Sequence, residues 1–426
     1  MDRRQFLAAG FAAPAALAAQ TAHEPAQAAT AVQPFSDPDF GYTAQVALGA
    51  SYHRAGNPGK LLALTAQIKP GDFDSAWRAY YDAGVQARKQ AEAAAAKRHM
   101  VSAREAYLWA AEYFSCALRF LDLSRETESP SPSWQQYADC WSAAASLFEP
   151  AAERLEIPYE GSSLTAWFFP VDRSRRRRPL VIQNTGADGL EISMYVHGGA
   201  GALARGYHCL IFNGPGQCDS LWAKKLYFRP DWEKAITPVV DAMLRRREVD
   251  PKRIALVGAS QGGYFVPRAL AFERRIAAGV ADPGVWNVAD PWLRNLPKPV
   301  REMLDAGKQT DFDRIVAKGM ATNPRAKAMV QMRMRPYGLT SYYEAFRAVQ
   351  KYNLDDVAGQ IRCPMLITDP ETEQFFPGQA QKLYDALRCP KTLVKFTHDQ
   401  GADQHCEVAA PGYRDYCIYN WLDETL

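Results

Sequence analysis

The chain has 426 residues, 47% apolar and 12% aromatic, enough for sizeable cores and unlike a disordered polypeptide. Lys and Arg number 50 against 47 Asp and Glu, a formal charge of +3, so no polyanion-binding balance is present and nucleic acid is not expected as a partner. Eight cysteines lie without C-x-x-C or tight framework spacing, so few or no essential disulfides are expected.

At the N-terminus, Arg3 and Arg4 precede Phe6-Leu7 and an alanine-rich run over residues 8–19. Ala26-Gln27-Ala28 is the best small-residue cleavage pattern and Ala16-Leu17-Ala18 the second. Residues 1–29 are expected to be a signal peptide of the twin-arginine (Tat) type, with a Sec signal as the alternative. The apolar run is too short for a membrane span and nothing later reaches that length. The mature protein is therefore expected to be exported to the periplasm without a membrane-spanning segment.

Residues 40–150 read as a helical N-terminal domain. Asp72 and Asp74 can cap a helix that runs through Trp77, Tyr80, Tyr81 and Val85 to residues 91–96. Ser102 with Glu105, and Ser133 with Gln136, read as capping boxes that open two further helices. The aromatics Trp77, Tyr107, Trp109, Tyr113 and Phe114 are most simply packing residues.

The pattern changes at Glu156. Residues 157–169 alternate around a Gly-Ser turn and read as a hairpin, and Arg175 to Arg178 read as the solvated tip of a further hairpin. Strands then follow over residues 180–183, 207–212, 254–257, 277–281, 365–368 and 393–396, alternating with helices over 191–205, 231–247, 378–387 and 411–423. Asp231 is the expected cap of the second of these helices, and Asp250-Pro251 the turn before the third strand. Such alternation predicts a mostly parallel sheet covered by helices on both faces, an α/β domain over residues 151–426. A mostly helical insertion over about 285–360 is expected above the sheet.

Gly258-Ala259-Ser260-Gln261-Gly262 follows one of these strands and opens a helix, which is the context a nucleophile elbow requires. A serine hydroxyl needs a base, and the base an acid, in the chain order serine, acid, histidine. Only His398 and His405 follow Ser260, both after the last predicted strand. His405, mid-loop, has the reach for the base; His398 is the alternative. For the acid, Glu373 ranks first, Glu371 second, and Asp369 reads as a structural turn residue. The two N–H donors of an oxyanion hole are expected from Gln261 and, in the loop after residues 180–183, from Ala187. Gly198-Gly-Ala-Gly201 does not lie on a strand-to-helix turn and so fails as a dinucleotide site, while Asn213 to Gln217 reads as the rim of the site. No metal and no nucleotide cofactor is implied, and the sequence leaves a homodimer open.

The strings NTGADG, RGYHCLIFNGPGQ, FRPDWEKAITPVVDAM, VDPKRIALVGASQGGYFVPRAL, EQFFPGQAQ and GADQHCE together resemble one branch of the α/β-hydrolases, that of dihydroxypseudooxynicotine hydrolase and the fungal polyketide-shortening hydrolases. The resemblance covers about residue 40 to the C-terminus. It implies an α/β-hydrolase fold with a helical N-terminal domain and a helical cap insertion, and puts Ser260, Glu373 and His405 on the triad positions. Cys218 stands where relatives often carry glycine, and Glu373 where many carry aspartate. The expected activity is cofactor-free acyl hydrolysis of a small apolar or aromatic compound, at a carboxylic ester or a β-diketone-like C–C bond. A peptidase-type acyl hydrolase and a non-catalytic binding protein on a hydrolase scaffold are the alternatives.

Overall fold

The computed structural model describes residue 35 and residues 37–126 and 131–426; the expected signal over residues 1–29 lies outside the described residues. The N-terminal part is helical: α1 (Pro38–Ala50), α2 (Pro58–Thr65), α3 (Phe73–Ala96), α4 (Met100–Leu118) and α5 (Pro132–Ser146). Asp72 caps α3, its carboxylate accepting from Ser75 N at 3.0 Å. The two expected capping boxes do not form. Helix α4 starts at Met100, so Ser102 is already inside it and exposed. In α5 the cap is Ser131, whose hydroxyl accepts from Trp134 N, because Pro132 fits the first helical position and carries the start two residues upstream of Ser133.

An eight-stranded sheet follows, built from β1 (Glu153–Tyr159), β2 (Ser162–Phe169), β3 (Arg178–Asn184), β4 (His208–Phe212), β5 (Val249–Ala259), β6 (Ala278–Asp282), β7 (Met365–Pro370) and β8 (Lys391–Phe396). Their order is β1-β2-β4-β3-β5-β6-β7-β8. Strands β1 and β2 form the expected hairpin, β2 pairs antiparallel with β4, and the other pairings are parallel. Since β2 neighbours β4 and not β3, the exposed arginines 175–177 lie on a crossover loop, not at a hairpin tip. Strand β5 includes Asp250-Pro251, but residues 250–253 have no partner on β3 and Asp250 Oδ1 accepts from Lys252 N at 3.0 Å, so the expected turn forms as a bulge within the strand. A register shift between Arg178 and Leu180 absorbs the proline. Asp369-Pro370 extends β7 and pairs with Lys395 and Phe396.

Period-two alternation divides the strands between two apolar layers. Leu180, Ile182, Leu210 and Leu256 face one layer, packed on Trp232, on α6 (Glu233–Leu244) and on α7 (Gly262–Leu270); the Trp232 and Phe265 rings stack at 3.7 Å. Trp232 flanks the start of α6; the expected cap, Asp231, is instead held by the Arg229 guanidinium through two 2.8 Å bonds. Val181, Ile211 and Val257 face the other layer, which the N-terminal helices cover. There Trp141 of α5 is buried among the rings of Trp167, Phe169 and Tyr195. Between β6 and β7 the chain forms α8 (Asp290–Leu293), α9 (Lys298–Asp305), α10 (Gln309–Ala321), α11 (Pro324–Met334) and α12 (Tyr342–Val349). Helices α13 (Gln379–Ala386) and α14 (Pro411–Thr425) complete the fold. Among the described residues no helix is long and apolar enough to cross a membrane.

Candidate active site

Parallel strands end at one edge of the sheet, and the crevice beyond their C-terminal ends is where open α/β sheets hold ligands. Strand β5 lies between β3 and β6, with Gly258 opposite Asn184 and Ala259 opposite Asp282, so the next residue, Ser260, emerges at the middle of that edge. Ser260 has φ +57°, a left-handed conformation that costs a non-glycine residue about 1–3 kcal/mol. Two hydrogen bonds hold it there: Ser260 N donates to Asp282 O at 2.7 Å, and Gly263 N donates to Ser260 O at 2.8 Å. At Gly258 a Cβ would sit 2.4 Å from the Gly262 carbonyl oxygen, so only glycine lets the strand pass this close to the helix start.

Three of the predicted side chains meet at this point. Ser260 Oγ lies 2.9 Å from His405 Nε2, and His405 Nδ1 lies 2.7 Å from Glu373 Oε2. The other Glu373 oxygen, Oε1, accepts from Phe375 N at 2.8 Å and Phe376 N at 3.0 Å, which fixes the carboxylate plane. Burial pushes the Glu373 carboxyl up, but the adjacent His405 and the two backbone N–H groups outweigh it and hold the group below the usual carboxylate range. Phe375 packs edge-on against the imidazole at 4.7 Å. The other three candidates lie apart from Ser260. Glu371 is exposed and accepts from His398 N at 3.0 Å. His398 is partly exposed beside Asp403, 3.5 Å away, and Asp369 faces Lys395 at 3.6 Å.

The loop after β3 comes directly against Ser260. A Cβ on Gly186 would lie 2.7 Å from Ser260 Cβ and 2.8 Å from Gln261 N. Gln217 braces this loop from the rim, its Nε2 donating to Thr185 O and Gly186 O at 2.8 Å each. The N–H groups of Gln261 and Ala187 donate to no protein acceptor among the described residues, as an oxyanion hole requires. Cys218, where a glycine was noted in relatives, has φ +43°, which explains why glycine suits that position.

The sequence reading missed a second buried cluster behind the imidazole. His197 Nε2 lies 2.7 Å from Asp282 Oδ2, Thr368 Oγ1 donates to Asp282 Oδ1 at 2.5 Å, and Glu407 and Arg414 are both buried. Burial raises the Asp282 carboxyl, but His197, then Arg414 and Thr368, bring it down to about 2. Burial, and then the neighbouring Asp282 charge, push the Glu407 carboxyl far up. Arg414 Nη1 donates to Cys406 O at 3.4 Å and Nη2 to Val196 O at 2.8 Å, tying the loop that carries His405 to the broken helix Glu191–Met194, Tyr195–Gly199 and Ala200–Ala204. Cys406 and Glu407 both have positive φ, and these contacts sustain that turn. His197 precedes Ser260 in the chain, so the order serine, acid, histidine does not single it out.

The serine opens into a cavity of about 240 Å³, walled by α1, the β3 loop, α11 and the segment around Phe375. Tyr42, Phe120, Met332, Trp292 and Tyr337 give it an apolar surface. Glu112 lies in its wall, its carboxyl raised by burial to about 8. Among the described residues no group of three His, Cys, Asp or Glu side chains is placed to hold a metal ion.

No protein-family model matches the chain. It is 29% identical over 395 residues to hydrolase LUC6 of Fusarium sp, spanning 89% of this chain and 94% of that protein. It is 27% identical to 20-hydroxy-prefusarin hydrolase FUS2 of Gibberella moniliformis, over the same shares of the two chains. Among solved structures it resembles 2,6-dihydroxy-pseudo-oxynicotine hydrolase with a TM-score of 0.67 at 18% identity, covering 89% of this chain and 95% of that one. The chain has the α/β-hydrolase fold and is similar in sequence to these fungal hydrolases. Within this fold the serine, histidine and glutamate lie after β5, β8 and β7, joined by hydrogen-bond distances, and the helical parts cover the crevice into which they project.

Proposed function

We propose that this protein is an exported serine hydrolase that cleaves a small acyl compound through an acyl-enzyme. The observation that carries the reading is the unbroken line from Ser260 Oγ through His405, at 2.9 Å, to Glu373, at 2.7 Å. His405 Nε2 takes the Ser260 proton as Oγ attacks the substrate carbonyl, and Glu373 holds the imidazole tautomer and stabilises the imidazolium. The N–H groups of Gln261 and Ala187 stabilise the tetrahedral oxyanion, each worth roughly 3–4 kcal/mol in such sites. The imidazolium then gives its proton to the leaving group. Water, deprotonated by the same imidazole, attacks the acyl-enzyme and releases the acid.

The apolar and aromatic wall favours an apolar or aromatic acyl group, cleaved at a carboxylic ester or at a β-diketone-like C–C bond. FUS2 is named as a hydrolase of 20-hydroxy-prefusarin, and that name supports a small organic substrate here. In ester cleavage the imidazolium protonates an alkoxide; in C–C cleavage it protonates an enolate carbon or oxygen. Assaying aryl esters against 1,3-diketones with the mature enzyme separates the two bonds. Ser260→Ala is expected to abolish whichever turnover is found, and turnover kept by that variant contradicts the reading. A binding protein without catalysis would show tight ligand binding and no turnover. Export through the Tat pathway rests on Arg3-Arg4 and the apolar run after them. Cell fractionation of the wild type against an Arg3→Lys, Arg4→Lys variant tests it, with retention of the variant in the cytoplasm expected.

A further inference from the structure

Helix α11 turns one face towards the serine, and Met329, Met332 and Arg333 all line the cavity. The methionines continue the apolar wall, but Arg333 does not. No hydrogen bond or ion pair joins its guanidinium to any described residue. The carboxylates near enough to act on it are Asp39 and Asp188, and both are already held by other arginines. Arg325 grips Asp39 together with Asp37, and Arg119 Nη1 donates to Asp188 at 3.1 Å. Glu112, a further carboxyl of the wall, is raised to about 8 by burial and is largely neutral at pH 7. Arg294 adds a like charge nearby. Burial pulls the Arg333 guanidinium below its usual range, yet an arginine stays protonated at any physiological pH. Arg333 is half-buried in the cavity wall with no carboxylate in ion-pair contact, and a ligand that brings an anion supplies that contact.

We propose that Arg333 is the recognition group for an anionic oxygen on the substrate, so that this hydrolase takes organic acids: acyl compounds carrying a carboxylate away from the carbonyl that Ser260 attacks. The inference rests on the proposed function for the scissile end of the substrate and adds the opposite end. The remainder of the substrate lies on the methionines and aromatic rings between. The guanidinium fork offers paired N–H donors that match the two oxygens of a carboxylate, which a lysine offers only as a point charge.

The test uses monomethyl adipate and methyl hexanoate, two esters of equal chain length that differ in the terminal carboxylate. Each is titrated calorimetrically into the full mature chain carrying Ser260→Ala, so that binding is read without turnover. The half-ester is expected to bind at least tenfold tighter than the neutral ester. Adding Arg333→Met should reduce that preference to less than threefold, while Arg333→Lys should keep part of it. The thermal midpoint of Arg333→Met should equal or exceed that of the parent, since an unpaired charge has been removed. Equal binding of the two esters, or a preference that survives Arg333→Met, would overturn the proposal. A wild-type chain whose Ser260 fails to react with a fluorophosphonate, while the Arg333-dependent preference remains, would overturn the serine mechanism and leave the anion site standing.

Discussion

Two carboxyl groups, Glu112 in the cavity wall and Glu373 behind His405, are pushed in opposite directions. Glu373 is held low because an imidazole and two N–H groups face it; Glu112 is raised to about 8 because burial has no adequate partner to offset it. In the unfolded chain Glu112 titrates near its ordinary 4.5. Between these two values the folded state binds the extra proton, so its contribution to stability is full below about 4.5 and is lost as pH rises to about 8. Glu112→Gln should therefore flatten the fall in thermal midpoint between pH 5 and pH 8.5 relative to the wild type. An unchanged slope would mean that Glu112 is ionised in the folded protein. The pair Ser260 and His405 was legible in the sequence because glycine spacing marks an elbow and only two histidines follow it. Glu373 and Glu371 lie two residues apart in one loop, so spacing alone does not separate them; the buried cluster of His197, Asp282, Glu407 and Arg414 had no local signal, since its members come from four separate segments.

At the level of elements, the strands and helices of the α/β part follow from alternation and apolar runs, whereas helix starts were misplaced where two signals competed. At α5 a serine stands on each side of Pro132, and the proline decides for Ser131 because its fixed φ suits the first helical position. At α4 the chain enters the helix before Ser102 is reached, which leaves that side chain on an exposed face. The two serines should therefore differ in cost. Ser131→Ala removes a cap and should destabilise by about 1–2 kcal/mol. Ser102→Ala should be neutral or stabilising by up to about 0.5 kcal/mol, since alanine is the better helix former. Urea unfolding of the two variants gives the comparison, and equal losses would contradict this assignment of caps. In strand β5, Asp250-Pro251 has the composition of a turn and falls where pairing with β3 lapses between Val249 and Ile254.

For the molecule as a whole, the crevice is closed by two helical parts that are far apart in sequence and are tied to each other by charge. Arg325 of α11 reaches Asp37 Oδ2 at 2.7 Å and also pairs with Asp39 at the start of α1, and Arg335 pairs with Asp122. From α1, Tyr42 Oη donates to the carbonyl of His405 at 3.5 Å, so the position of the N-terminal helix bears on the loop that carries His405. Arg325→Ala should cost about 1–2 kcal/mol of stability, between the values for exposed and fully buried pairs. It should also raise KM several-fold with a smaller change in kcat, because it loosens the wall without touching Ser260 or His405. Steady-state kinetics with a turned-over ester measures that split, and a loss confined to kcat would contradict it.

The central claim is that Ser260 is a nucleophile activated by His405 and Glu373. Fluorophosphonate labelling of the folded protein, followed by mass spectrometry of its peptides, tests this most directly. The expected result is one adduct on Ser260, none in Ser260→Ala, and labelling slowed by roughly a thousandfold or more in Glu373→Gln, where the imidazole loses the acid that orients it. An adduct on another residue, or labelling that persists in Ser260→Ala, would contradict the account.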